Sequence, residues 1–434
     1  MLRGGSSFTL VTREGELGGR ELEGRVGSRM EELRRNGLRR GSLCPLLSTA
    51  NVEGVLDLLA CWRLEAVPAP INPLLPAREM EAARTHLGAV PENSGQDPGP
   101  SRWPGGPPVA MVRTSGTSGI PRYLSLSRRN VTASVKAGSE RLGLTSSDTW
   151  LASLSPAHVG GLMVVARAWL LGCRLAVTGS SAAPSVSEIG RALDGDPGPV
   201  THLSLVPTQL SRLLDLSGGD PPSALRLVLV GGARTPGALV DRCIERGWPI
   251  ALTYGMTETT SQAATATPEE VRRKPGAVGR PIAGVEIAIS PGGEILVKGD
   301  VLAARTDAGG WFRTGDLGRL DEDGDLWITG RRSDRIISGG ATIEAGDVEN
   351  VLAEHPAVAE ACVIGLPDEL WGDKVCACVV PVEGEFDLAE LDEWTRTRLA
   401  PSHRPRLWHL RASLPLNAGG KVDRSVLARE MRPG

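Results

Sequence analysis

Aromatic side chains are scarce in this sequence: Phe, Trp and Tyr together make up 3% of 434 residues. Proteins that hold single-stranded nucleic acid stack its bases on aromatic rings, and so thin a supply speaks against that class. A surplus of one charge is missing too. The 48 Lys and Arg residues nearly balance 51 Asp and Glu, leaving a formal net charge of -3. Without a global basic field there is no electrostatic case for a nucleic-acid partner. The sequence contains no apolar run long enough to span a bilayer, and a signal-peptide pattern is absent. Regular cysteine spacing is also lacking. Seven cysteines, an odd number at irregular intervals, suit reduced thiols and a cytoplasmic setting rather than a disulfide framework. Cys376 and Cys378, in Val375-Cys376-Ala377-Cys378-Val379-Val380, read as same-face residues of a strand. No second cysteine pair lies near enough in sequence to complete a metal site with them.

What is present is the composition of a globular protein, 41% hydrophobic and 23% charged. The length suits two or three domains of about 100–200 residues each. Apolar periodicity predicts a helix over 20–36, followed by a basic cluster, Arg34, Arg35, Arg39 and Arg40, that reads as a solvated helix end. A second helix is expected over 51–62, then a short strand from Val67 running into a Pro-rich loop. Residues 88–108 are rich in Pro and Gly and read as a connector. Beyond 122, strand patterns at 150–154, 174–178, 202–206, 225–230 and 250–254 alternate with helical patterns at 161–171, 208–216 and 236–246. Such alternation implies an α/β core with covered sheets, whose ligands gather where strands end in loops. Two hairpins follow, over 286–297 and 316–328. From Arg332 onward, helical patterns at 344–354 and 387–399 and strands at 359–365 and 374–381 suggest a small α+β domain. The expected division is therefore 1–331 and 332–434.

One stretch is dense in chemistry. Thr114-Ser115-Gly116-Thr117-Ser118-Gly119-Ile120-Pro121-Arg122 follows the apolar run Val109-Ala110-Met111-Val112, which reads as a buried strand. Glycine lets backbone N–H groups approach an anion closely, hydroxyls add donors, and arginine adds a forked charged donor suited to phosphate. This is the composition of a polyphosphate cradle. It lacks the Gly-Lys-Ser/Thr ending of the Walker P-loop. Alone, it also reads as an ordinary Ser/Thr/Gly turn.

Further motifs follow in order. They are Pro156-Ala157-His158-Val159-Gly160-Gly161, Gly231-Gly232-Ala233, Tyr254-Gly255-Met256-Thr257-Glu258-Thr259 and Trp311-Phe312-Arg313-Thr314-Gly315-Asp316. Gly330-Arg331-Arg332-Ser333-Asp334 and Asn417-Ala418-Gly419-Gly420-Lys421-Val422-Asp423-Arg424 complete the series. With the loop at 114–122 this series resembles the adenylate-forming superfamily of acyl- and aryl-CoA ligases, luciferases and peptide-synthetase adenylation domains. Residues 254–262 and 331–340 are further similar to the forms found in the o-succinylbenzoate–CoA ligases of menaquinone synthesis.

The resemblance implies a large N-terminal α/β domain, a small mobile C-terminal domain, and a two-step reaction. A carboxylic acid and ATP give an acyl-adenylate and pyrophosphate, and the thiol of CoA then displaces AMP. By the same resemblance Thr114, Ser115, Gly116, Thr117, Ser118, Gly119 and Arg122 hold phosphates, and Gly232, Ala233, Tyr254, Gly255 and Thr257 line the nucleotide. Asp316 takes the ribose hydroxyls, Arg331 the ribose–phosphate region, and Glu258 a Mg²⁺ ion. His158 lies near the acyl carboxylate, Lys421 reaches that carboxylate and the α-phosphate, and Ser333 with Asp334 forms the hinge. The residue types suit these tasks: a hard cation prefers carboxylate oxygen, and a carboxylate can accept from two hydroxyls. Two residues depart from the family pattern: Arg122 stands where the family carries Lys, and Tyr123 where it carries Gly. The short Pro/Gly-rich stretch before the loop also suggests a trimmed N-terminal part. Loading of a carrier protein instead of CoA, activation of another aryl or fatty acid, and a non-catalytic nucleotide-binding scaffold remain open alternatives at this stage. A homo-oligomer is also left open.

Overall fold

A computed structural model describes residues 7–75, 77–89, 107–114, 122–179, 182–382, 384, 386–417 and 420–431, save the side chains of 78, 86, 88 and 89. Its largest element is a nine-stranded sheet. Six strands run parallel in the spatial order Ile250–Tyr254, Leu227–Val230, His202–Leu205, Thr149–Leu151, Arg174–Ala176 and Thr9–Thr12. Antiparallel strands close both edges: Ala264–Ala266 with Arg280–Pro281 at one, Gly15–Gly18 at the other. Parallel strands are buried on both faces, and their sequences show it. In Leu227–Val230 every residue is buried. Leu227 and Leu229 enter the core under Val52–Leu64 and Val159–Leu171, while Val228 and Val230 enter the core under Pro207–Ser217 and Gly237–Glu245. Side chains alternate across a strand, so one run of four apolar residues serves two hydrophobic cores.

The expected strand at 109–112 forms as Ala110–Thr114, and it has a partner that the sequence reading passes over. Arg122–Leu126 pairs with it antiparallel, with Thr114 directly opposite Arg122. Residues 115–121 thus connect the two strands of a hairpin, and they lie outside the described residues, as do 90–106 of the expected connector.

Four antiparallel strands, Val285–Ile289, Glu294–Gly299, Phe312–Leu320 and Leu326–Arg331, form a second sheet. In its last turn Asp321, Asp323 and Asp325 converge as a metal site would, but Lys274 Nζ lies 2.6–2.8 Å from all three and supplies the cation. The last sheet joins Ala341–Glu344, Arg335–Ser338, Gly372–Pro381 and Val358–Asp368, with Leu407–Leu410 added alongside Gly372–Pro381. Gly339 and Gly340, at φ of +59° and +81°, make the tight turn between its first two strands. Two positive φ values in a two-residue loop match the twist of the flanking strands and favour glycine. Cys376 and Cys378 do share one face, packed with Cys362, Leu414 and Leu427 and bonded towards Met431 Sδ. All seven cysteines are free and buried.

Candidate active site

The candidate residues gather at the C-terminal ends of the parallel strands, where a doubly covered sheet leaves a crevice. Leu227–Val230 runs into Gly231-Gly232-Ala233. A Cβ on Gly231 would sit 2.6 Å from Thr253 Cγ2, so the turn can lie against the neighbouring strand only as glycine. Gly232 adopts φ +82°, which L side chains rarely take. The next strand ends at Tyr254. There a Cβ on Gly255 would come within 1.9 Å of the Ser261 carbonyl oxygen. The chain therefore doubles back tightly, and Thr257–Thr259 forms a single 3-10 turn that carries Glu258 at its centre. The Ala303 N–H donates to the Glu258 carbonyl oxygen at 2.9 Å and holds that turn.

Asp316 comes from the second sheet and lies opposite Arg331 in its register. Arg331 Nε approaches Asp316 Oδ1 at 3.1 Å, and the Tyr254 hydroxyl donates to Oδ2 at 3.0 Å. Burial pushes the Asp316 pKa above the usual carboxylate range, while Arg331 and the Tyr254 hydroxyl pull it back. Tyr254 is 7% exposed, and burial followed by the nearby Asp316 charge pushes its hydroxyl well up. It is a neutral donor at ordinary pH.

The backbone around Asp316 is held by a carboxylate outside the motif series. Glu294, 4% exposed, accepts from the Gly315 N–H at 3.1 Å and pairs with Arg313 and with Arg332.

Lys421 arrives from the far end of the chain. Its Cε and Nζ lie 3.4 Å and 3.8 Å from where a Cβ on Gly232 would sit, so the lysine head rests against the glycine turn. Lys421 is solvent-accessible as a residue, yet crowding of its head lowers its pKa. Desolvation is the main cause and repulsion from Arg331 adds to it, while Asp316 and Glu258 act the other way. Lys421, Arg331, Asp316, Glu258, Tyr254 and Gly232 thus share one neighbourhood.

His158 precedes this cluster on a separate element. It caps the helix Val159–Leu171 through its backbone, and its ring Nε2 lies 3.5 Å from Asn72 Nδ2. Gly161 is needed just after it, because a Cβ there would come within 2.3 Å of the Ser155 carbonyl oxygen. Thr114 and Arg122 pair at the end of the hairpin whose connecting residues were expected to hold phosphates, and Arg122 is exposed. Ser115, Gly116, Thr117, Ser118 and Gly119 lie outside the described residues.

The sequence reading also misses Arg167. It sits within the apolar stretch of the helix Val159–Leu171 and is 1% exposed. Its Nη2 donates to Gln262 Oε1 at 2.7 Å, its guanidinium stacks 5.0 Å from the Trp150 ring, and Nε makes no hydrogen bond. Burial lowers its pKa to about 10, which still leaves it cationic at neutral pH. A cation in an otherwise apolar helical run is the signal that could have found it.

The AMP-binding enzyme family matches residues 85–304, and the AMP-binding enzyme C-terminal domain matches residues 347–421. The chain belongs to the AMP-binding enzyme family, and its fold is that of adenylate-forming enzymes. More particularly, it is 38% identical over 344 residues to a 2-succinylbenzoate–CoA ligase of Bacillus mycoides, covering 75% of this chain and 69% of that protein. The corresponding ligase of Listeria monocytogenes is 34% identical over 329 residues, covering 74% of this chain and 69% of the relative. Among solved structures, the o-succinylbenzoate CoA synthetase of Bacillus subtilis in complex with its acyl-adenylate intermediate superposes with a TM-score of 0.84. It has 29% identity and covers 98% of this chain and 95% of that one. The same enzyme with ATP and magnesium ion gives a TM-score of 0.82 at 28% identity, covering 96% and 95%.

Proposed function

We propose that this protein is an ATP-dependent, AMP-forming carboxylate–CoA ligase that acts on 2-succinylbenzoate in two steps, within menaquinone synthesis. The observation that supports it most is the meeting of Lys421 with Gly232, Asp316, Arg331 and Glu258 at the ends of the parallel strands. Activating a carboxylate with ATP brings two anions together, so the site needs fixed cations and donors where charge develops. In the first step a carboxylate oxygen attacks the α-phosphorus and the bond to pyrophosphate breaks. Lys421 lies between the two anions and offsets their repulsion. Asp316 accepts from the ribose hydroxyls through the lone pairs that Tyr254 and Arg331 leave over, since a carboxylate offers about four acceptor positions. Arg331 faces the phosphate side, and residues 114–119 with Arg122 hold the outer phosphates. In the second step the CoA sulfur attacks the acyl carbonyl, the bond to the adenylate oxygen breaks, and AMP leaves.

Glu258 fits a hard divalent cation, being a carboxylate on a turn fixed by its backbone. Glu258 would hold magnesium there, and the ion would supply positive charge to offset that of the departing pyrophosphate. Glu258→Gln keeps the size and removes the charge, and adenylation should fall by at least ~10²-fold. Near-normal acid-dependent exchange of labelled pyrophosphate into ATP in this variant would take Glu258 out of the metal site.

The acid carries two carboxylates, and only one is activated. The other calls for a cation, and Arg167, buried behind Gln262 with Nε unpaired, is suited to it. Arg167→Gln should raise the KM for the acid about tenfold or more, the scale of losing a hydrogen bond to a charged group. The KM for ATP should stay level. A rise in both constants, or a drop in melting temperature with unchanged KM, would assign Arg167 to the core alone.

The function itself is tested by measuring pyrophosphate exchange with 2-succinylbenzoate, then thioester formation with CoA. Exchange without transfer to CoA points to a carrier-protein thiol, and no exchange with any acid points to a non-catalytic nucleotide binder. The free buried thiols suit a cytoplasmic protein. Among the described residues no helix is long and apolar enough to cross a membrane.

A further inference from the structure

Lys421 can serve the first step only if its backbone is held at the right distance from Gly232, and the side chain itself is too flexible to ensure this. Asn417, Gly420 and Lys421 are tied to one another by three hydrogen bonds. The Gly420 N–H donates to the Asn417 carbonyl oxygen at 2.9 Å, the Asn417 N–H to the Lys421 carbonyl oxygen at 2.7 Å, and the Lys421 N–H to Asn417 Oδ1 at 3.2 Å. None of these three bonds uses the Gly420 carbonyl oxygen. It is taken by Thr208, whose Oγ1 donates to it at 3.0 Å across 212 residues. Thr208 is the second residue of the helix Pro207–Ser217, which packs on the main sheet. Val206, just before that helix, lies 3.5 Å from where a Cβ on Gly232 would sit and 3.6 Å from one on Gly420. One short segment, Val206-Pro207-Thr208, therefore touches the glycine turn on one side and the lysine turn on the other.

We propose that Thr208 is the positioning residue that seats Lys421 for acyl-adenylate formation. Two ion pairs that also join the two parts of the chain are longer. Arg212 to Glu360 spans 3.6 Å and Arg234 to Asp347 spans 3.8 Å, with partly exposed side chains. Pairs of that kind contribute little and leave direction unfixed. The Thr208 bond is short, directional and one residue from the lysine. A misplacement of about 1 Å at a reacting group can cost on the order of 10²-fold in rate, so a backbone anchor there has leverage on the chemistry. The bond must also break, because Lys421 has to leave before a thiol can reach the acyl-adenylate. A single neutral hydrogen bond, which biases an equilibrium by about tenfold, is strong enough to hold and weak enough to release.

The inference rests on the ligase reading above. Its test uses Thr208→Val, which keeps shape and removes the hydroxyl, and Thr208→Ser, which keeps the hydroxyl. Thr208→Val should lower kcat for acid-dependent pyrophosphate exchange about tenfold and leave both KM values within about twofold. Thioester formation from supplied acyl-adenylate should hold at the wild-type rate or exceed it, and Thr208→Ser should restore exchange. Thr208→Ala carries the same expectation and replaces Thr208→Val if the latter does not fold. An unchanged exchange rate, equal loss in both half-reactions, a raised KM for ATP, or a serine variant as poor as the valine one would each overturn the role. A wild-type protein with no acid-dependent exchange would overturn the ligase reading instead.

Discussion

Lys421→Ala should abolish most adenylation while sparing thioester formation from supplied acyl-adenylate. Lys421 reaches Gly232 from the segment between the strand Leu407–Leu410 and the helix Arg424–Glu430, so its ammonium is an addition to the crevice at the strand ends rather than a pillar of it. In the proposed role, its removal would take away one cation between two anions at the moment of attack. Loss of a comparable donor at a developing charge costs about 10²–10³-fold, and that is the fall expected in pyrophosphate exchange. The second half-reaction starts from an acyl-adenylate whose two anions are already joined. It needs a thiol and a clear approach, and alanine at 421 obstructs neither. General destabilisation cannot mimic this split, since it depresses both half-reactions together. A variant that loses both halves, with circular dichroism matching the wild type, would remove Lys421 from this role.

The parts of this molecule that the sequence displays are those set by local pattern. Leu227–Val230 is apolar throughout because both its faces are buried, and the glycines that follow are required by φ and by close backbone contact. A run of buried residues ending in such a turn can be read without knowing its neighbours. The strand Thr9–Thr12 cannot be read this way. It joins the main sheet beside Arg174–Ala176, and nothing local in four residues announces a partner 165 positions away. Arg122–Leu126 is hidden for a related reason: Arg122 and Ser125 interrupt its apolar alternation, and its pairing is defined by the loop it closes.

Other omissions left a signal unused. Ser185 and Glu188 form a reciprocal capping box at the start of Val186–Leu193, and Thr267 with Glu270 does the same for Pro268–Arg273. A hydroxyl residue followed three positions later by glutamate marks a helix start in sequence. At the site, the motif series brings Tyr254, Glu258, Asp316, Arg331 and Lys421 into view because each lies in a segment of characteristic composition. Glu294 and Thr208 lie in ordinary segments, and Arg167 shows only as a cation in an apolar helical run. Their contacts, to Gly315, Gly420 and Gln262, exist only once distant parts of the chain have packed.

Ser333→Pro should give the opposite phenotype to Lys421→Ala. The turn Arg332–Asp334 is anchored at its first and last residues, with Ser333 between them. At its start, Arg332 Nη1 is 3.3 Å from Glu294 Oε2, which belongs to the second sheet. At its end, Asp334 Oδ2 is 3.2 Å from Arg424 Nε, and Arg424 also holds Glu349 at 2.7 Å. Both of those partners lie beyond the turn, on the side that carries Lys421. A rotation that withdraws Lys421 can keep both anchors only if the backbone changes at Ser333, since a hinge motion concentrates its φ and ψ changes in one or two residues. Proline fixes φ near −65°, which suits the 3-10 turn present here, and removes an N–H. It also restricts the residue before it, which charges some of the strain to Arg332. Adenylation should therefore persist within about tenfold of wild type, because the orientation that brings Lys421 to Gly232 stays accessible. Thioester formation from supplied acyl-adenylate should fall by at least ~10²-fold, because the new φ at residue 333 is denied. Measuring both half-reactions on the two variants gives a crossed pattern that a single damaged site does not produce. If Ser333→Pro forms thioester at the wild-type rate, the turn at 332–334 is not where the motion occurs, and the two anchors merely brace a fixed corner.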